Sequence, residues 1–137
     1  MPADATQGNN SARPLYGIGQ LKAGARLASA QGQRDAAIAA LTDAVAAEDK
    51  LSYNEPSDLI YPVRPLLGAE LLAANRPADA EAVFKEDLRR HPHNGWSLYG
   101  LGRALAAQNR NAEAAVVARQ FEKSWRNADV RLASPAF

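Results

Sequence analysis

His91 and His93 flank Pro92, and they are the only two histidines in the chain. Imidazole pairs bind transition metals, but a closed zinc site needs about four ligands. The chain has no cysteine to complete the set. The pair therefore reads as an exposed helix end, with His91 favourably placed near a C-terminal helix dipole. Glu48 and Asp49, with Glu55 nearby, offer the paired carboxylates that acid–base chemistry uses. Their setting reads instead as a solvated helix end and connector. Glu86-Asp87 and Arg89-Arg90 read as a charged helix face. No nucleophile–base arrangement, Gly-rich phosphate loop or metal cluster is legible. The residues thus predict no enzyme, no cofactor and no metal.

Composition narrows the partners. Lys and Arg total 16 against 15 Asp and Glu, a net charge of +1. That balance argues against nucleic acid, which selects a basic face. No apolar run reaches the roughly 18–20 residues that span a bilayer, so membrane insertion is not expected. The first ten residues lack a basic stretch followed by an apolar one, so no secretory signal is read and the default placement is cytoplasmic. Residues 1–14 are expected to be a flexible leader.

The elements that would position any site follow from internal self-similarity. Residues 64–91 align with 98–125 at an offset of 34. Leu67 falls on Leu101, Gly68 on Gly102, Leu71 on Leu105, Asn75-Arg76 on Asn109-Arg110, Ala80 on Ala114 and Val83 on Val117. An earlier copy aligns at an offset of 43, with Ala37 on Ala80 and Leu41 on Phe84. Two helices of about 14 residues, each about 21 Å long, with two short turns fill such a repeat. Gly68, Gly102, Ala80 and Ala114 are expected where paired helices cross. Such a pair cannot bury its apolar face alone, so pairs must stack.

The pattern predicts three helix pairs within a domain over 15–127. The first pair spans about 15–49, with Ile18, Leu21, Ala25, Ala28, Ala37, Ile38, Leu41 and Val45 inward. A long connector covers 50–60. The second pair spans 61–91, its first helix being Tyr61–Ala74 and its second opening at Pro77. Pro92 stops it. The third spans 95–127, with Asn94 and Asn111 as expected caps. The tail 128–137 is expected to pack on the last pair.

Leu67-Gly68, Leu71, Ala80, Phe84 and Pro92 match the tetratricopeptide repeat (TPR) consensus in type and spacing. Leu101-Gly102, Leu105 and Ala114 keep it in the next copy, where Ala118 and Arg126 replace the aromatic and the proline. The chain therefore resembles the TPR family over about 15–127. A narrower resemblance, carried by Tyr53, Glu55-Pro56, Tyr61-Pro62-Val63-Arg64 and Asn94-Gly95-Trp96, is to the C-terminal region of larger bacterial TPR proteins of uncharacterised function. It implies a fragment or a short relative. The family fold implied is an all-α solenoid of stacked antiparallel helix pairs winding into a right-handed superhelix.

The resemblance also implies a protein or peptide partner in a concave groove lined by the first helix of each pair. By position these residues are Lys22, Arg26, Leu66, Ala69, Trp96, Tyr99 and Arg103. Cations beside an aromatic pair suit an acidic or carboxylate-bearing ligand. The chaperone-tail set of such domains is not matched, since Arg26, Leu66 and Gly100 depart from it. In the connector, Tyr53, Glu55, Tyr61 and Arg64 read either as plugs between pairs, with Arg64 meeting Glu55, or as a specificity loop. The expected function is a non-catalytic interaction scaffold. The alternative is self-association as a homodimer, or docking onto the rest of a larger chain.

Overall fold

The computed structural model describes residues 6–7, 10–52, 59, 61–128 and 130–136. It divides into two compact units, residues 1–63 and residues 64–137.

In the first unit, strands β1 (Thr6–Gln7) and β2 (Asn10–Ser11) pair antiparallel, with Thr6 opposite Ser11. Helix α1 (Ala12–Ala30) and helix α2 (Arg34–Glu48) then form one hairpin. The helix opens three residues before Leu15, and Pro14 sits in its first turn, where a missing N–H costs no ladder bond. Residues 10–14, expected in the leader, are thus β2 and the start of α1. Ile18 and Ala25 face Ala37, Ile38, Leu41 and Ala44 in the core of this unit. Ala44 is fully buried, whereas Val45, expected in that stripe, is half-buried. The small side chains of Ala25, Ala37 and Ala44 let the two helices approach closely.

The second unit holds two further hairpins. These are α3 (Arg64–Ala73) with α4 (Pro77–Arg90), and α5 (Gly95–Ala107) with α6 (Asn111–Trp125). Helix α5 packs on both α4 and α3, so the pairs stack. The architecture is all-α helical repeat, with a two-residue ribbon as its other regular element among the described residues. Helix α3 begins at Arg64 and not at Tyr61. Tyr61 precedes Pro62, and the proline ring disfavours helical backbone in the residue before it. Pro77 occupies the first turn of α4, and the Asn94 side chain caps α5 by accepting from the Trp96 N–H at 3.1 Å. Asn111 does not cap α6. It is the first helical residue, and Arg110 stands at the cap without a capping side-chain bond.

That displacement follows from the turns, which are the same in all three pairs. Gly32, Asn75 and Asn109 adopt positive φ of 74°, 57° and 61°. In each, the next residue's N–H returns five positions, Gln33 to Ala28, Arg76 to Leu71 and Arg110 to Leu105, at 2.8–3.0 Å. The positive-φ residue itself returns three positions, to Ser29, Leu72 and Ala106. This double closure is a Schellman motif. It leaves one residue between the left-handed position and the next helix, so α6 starts at 111. Asn tolerates the left-handed region better than other side chains, which explains its use at 75 and 109.

Phe84 is fully buried in the second unit. A β carbon built on Gly68 of α3 or on Gly100 of α5 would overlap its ring. The ring therefore lies between two glycine backbones, one from its own pair and one from the next. Gly102 is different: an added β carbon would meet only Val117 Cγ1, at 4.0 Å. Its counterpart of Phe84 is Ala118, so the close crossing expected at Gly102 is absent and Gly100 supplies one instead.

Candidate functional site

Lys22 and Arg26 lie on α1 in the first unit. Lys22 is half-buried, and its Nζ donates to the Tyr61 carbonyl at 3.3 Å. Burial lowers its pKa; Glu48 opposes that shift, and Arg26 adds to it. Lys22 thus spends a donor on holding the end of the connector, whereas Arg26 is exposed. Glu48, expected to be solvated, is also used here. Its carboxylate accepts from the Val63 N–H at 3.2 Å. The other end of the connector is pinned by Asn10, whose side-chain amide donates to the Ser52 carbonyl at 2.9 Å and accepts from the Ser52 N–H at 2.7 Å. Tyr53 and Glu55 lie outside the described residues. Tyr61 is exposed, and Arg64 is buried at the first position of α3.

In the second unit, Leu66 and Ala69 of α3 are half-buried, as are Trp96 and Tyr99 of α5, while Arg103 is exposed. The Arg103 guanidinium lies 5.9 Å from the Tyr99 ring centroid and donates to the Tyr99 hydroxyl at 3.2 Å. Trp96 and Tyr99 do not stand alone. Trp96 meets Trp125 edge-on at 5.8 Å, Tyr99 meets Phe121 at 5.6 Å, and Phe121 stacks on Trp125 at 5.6 Å. Four rings thus run from α5 onto α6, the offset geometries that aromatic quadrupoles favour. Gly95 has room for Trp125 because it lacks a β carbon. Trp125 Nε1 donates to the Val130 carbonyl at 2.7 Å, and Pro135 further along is buried. Sequence reasoning found Trp96 and Tyr99 but not their partners. The i, i+4 spacing of Phe121 and Trp125 on one helix face was the available signal.

Two charged clusters carry the junctions. Asp87, expected on a charged face, is fully buried. Its Oδ2 accepts from Ser97 Oγ at 2.5 Å and from Asn94 Nδ2 at 2.7 Å, and its Oδ1 lies 3.1 Å from His91 Nδ1. The serine donates to the acid and not to the histidine, so this is a junction between α4 and α5 and not a nucleophile–base relay. The second cluster centres on Glu81. It takes Lys85 at 2.6 Å, Arg110 at 2.6 Å and Gln108 at 2.8 Å. These bonds, Lys85 first, hold its pKa down to about 2 against the opposing effect of burial. Arg110 also grips Glu113 at 2.7 Å, just as Arg76 grips Asp79 at 2.7 Å one repeat earlier. Among the described residues, no group of three or more His, Asp or Glu is arranged to hold a metal.

No helix among the described residues is long and apolar enough to cross a membrane. Residues 71–120 match the family model for the tetratricopeptide repeat. That stretch runs from the last turn of α3 through α4 and α5 into α6. No curated protein and no solved structure matches the chain. The 34-residue register, the paired helices and the matched stretch agree, and the chain carries a tetratricopeptide repeat, a module that in general serves as a protein-interaction scaffold and is typically non-catalytic.

Proposed function

We propose that the chain is a non-catalytic scaffold that holds a peptide or helical segment of a protein partner on the faces of its first helices. One observation carries the reading: Leu66 and Ala69 of α3 and Trp96 and Tyr99 of α5 stay half-open to solvent, with the Arg103 guanidinium free on one side above Tyr99. Half-exposed aromatics beside a cation are typical anchors for a partner. In the first unit, taken by itself, Arg26 is exposed on α1 and open to an acidic partner, and Lys22 has a smaller part because the Tyr61 carbonyl engages it. Tyr61, with 48% of its surface exposed, supports a specificity role for the connector that also includes Tyr53, Glu55 and Arg64. The bond from the Trp125 indole N–H to the Val130 carbonyl supports packing of the C-terminal tail on the last pair.

The test is capture of partners from lysate by the immobilised protein beside Arg103→Glu and Arg26→Glu variants. A partner held by wild type and lost with Arg103→Glu supports the reading. Equal capture by all three proteins overturns the groove.

A second reading, self-association or docking onto more of a longer chain, is favoured by α1. Opposite Ile18 and Ala25, the helix carries Ala12, Tyr16, Gly19, Ala23, Leu27 and Ala30 at helical spacing. Tyr16 is 59% and Leu27 61% exposed, an uncharged apolar stripe of the kind that marks an interface. A mass that rises with concentration in wild type, and not in Leu27→Glu, supports it.

A further inference from the structure

A depression of about 410 Å³ opens between the α4–α5 turn and the second half of α6. Pro92 and Leu98 give it an apolar side, and His93, Gln120, Lys123 and Ser124 give it a polar one. Gln120, Lys123 and Ser124 stand at i, i+3 and i+4, so they share one helix face with β carbons about 5–6 Å apart. All four polar side chains can donate hydrogen bonds, and among the described residues no carboxylate lines the depression. Glu81 and Glu86 of α4 and Glu113 in the first turn of α6 are engaged elsewhere: Glu81 by Lys85 and Arg110, Glu86 by Arg89 and Arg90, Glu113 by Arg110. A cation and three neutral side chains that can each donate therefore line a space with no carboxylate among the described residues around it.

We propose that this depression is a carboxylate-binding site that takes an organic anion with a short apolar body, the carboxylate meeting Lys123, Gln120 and Ser124 and the body resting on Leu98 and Pro92. An ammonium-to-carboxylate hydrogen bond is among the stronger polar contacts, and neighbouring hydroxyl and amide donors add geometry to it. The apolar side, chiefly the exposed Pro92 ring with the edge of buried Leu98 behind it, favours an acid with an apolar body over a small inorganic anion. A free aliphatic acid and an acidic residue next to a leucine in a peptide present the same chemistry. The site is separate from the α3–α5 face: partner capture through Arg103 can fail while this site binds, and the reverse.

The test is titration of the isotope-labelled protein, followed by amide NMR, with 4-methylpentanoate, with its neutral amide, and with the capped dipeptide acetyl-Glu-Leu-amide. The acid should move the amides of His93, Leu98, Gln120, Lys123 and Ser124 together. The neutral amide should bind at least ten-fold more weakly, and so should the acid to Lys123→Met. Gln120→Leu should weaken the acid several-fold, and peaks outside the depression report that each variant is folded. Binding of the capped dipeptide assigns the site to peptide carboxylates, and binding of the free acid alone assigns it to small acids. Equal binding of acid and amide overturns the proposal. So does undiminished binding by Lys123→Met, or the absence of any shift up to the solubility limit of the acid.

Discussion

Gly100 of α5 faces the ring of Phe84 so closely that a β carbon would occupy the same space. The contact joins one helix pair to the next, since Phe84 lies on α4. Gly100→Ala should therefore destabilise by about 1–3 kcal/mol, the usual cost of overpacking. Gly102→Ala, two residues on, has only Val117 at 4.0 Å to meet and removes a glycine from a helix interior. It should be neutral or stabilise by roughly 0.5–1 kcal/mol. Urea unfolding of the two variants side by side checks the contrast, and equal destabilisation would refute it.

Leu71 is 4% exposed on α3 and belongs to the core of the second unit. Leu71→Ala should cost about 2–5 kcal/mol. A cost below about 0.5 kcal/mol in chemical denaturation would place the side chain outside the core.

Asp87 and Ser97 should behave as one unit. Asp87→Ala leaves the buried Ser97 hydroxyl and the Asn94 amide without their acceptor, and an unmet buried donor costs about 1–3 kcal/mol. Ser97→Ala removes one donor from a buried carboxylate and costs a similar amount. The double variant should cost less than the two single changes added, because the lost bond is counted once. Strict additivity in a double-mutant cycle would mean that the two do not interact.

Glu81 predicts an acid limb. Its folded pKa of about 2 lies below its ordinary value of 4.5, so the unfolded chain takes up the proton first. The stability it contributes is complete above pH about 4.5 and fades as pH falls towards 2. Thermal melts of wild type and Glu81→Gln from pH 7 to 2 should differ most at neutral pH and converge in acid. Glu86, also held down to about 2 by Arg89 and Arg90, titrates in the same window. Its side chain is more open to solvent than that of Glu81, so salt should weaken its part more.

The repeat was legible because the same side chains recur at a fixed interval, and periodic packing requires them to. The left-handed turns were legible as Asn75-Arg76 and Asn109-Arg110, although the double closure at Gly32 needed backbone geometry to see. Gly100 was not legible. Its partner Phe84 lies in the preceding pair, and register comparison within the repeat points to Gly102. Asp87 was hidden because it stands beside Glu86 in a charged run. Its place three residues after Phe84 was the signal that it shares the inward face. Of the residues read as lining a groove, Arg103 and Arg26 are exposed, whereas Lys22 meets a backbone carbonyl that no spacing reveals. Glu48 likewise met the Val63 amide across a connector whose path the sequence does not encode.

The identical closures at Asn75 and Asn109 make residues 76–109 an interchangeable cassette. Both ends of that stretch are cut at the same dihedral and the same pair of returning bonds. Recombination between the two turns would add or delete one whole module without disturbing a helix. A designer can therefore splice an extra copy of the module at the same seam.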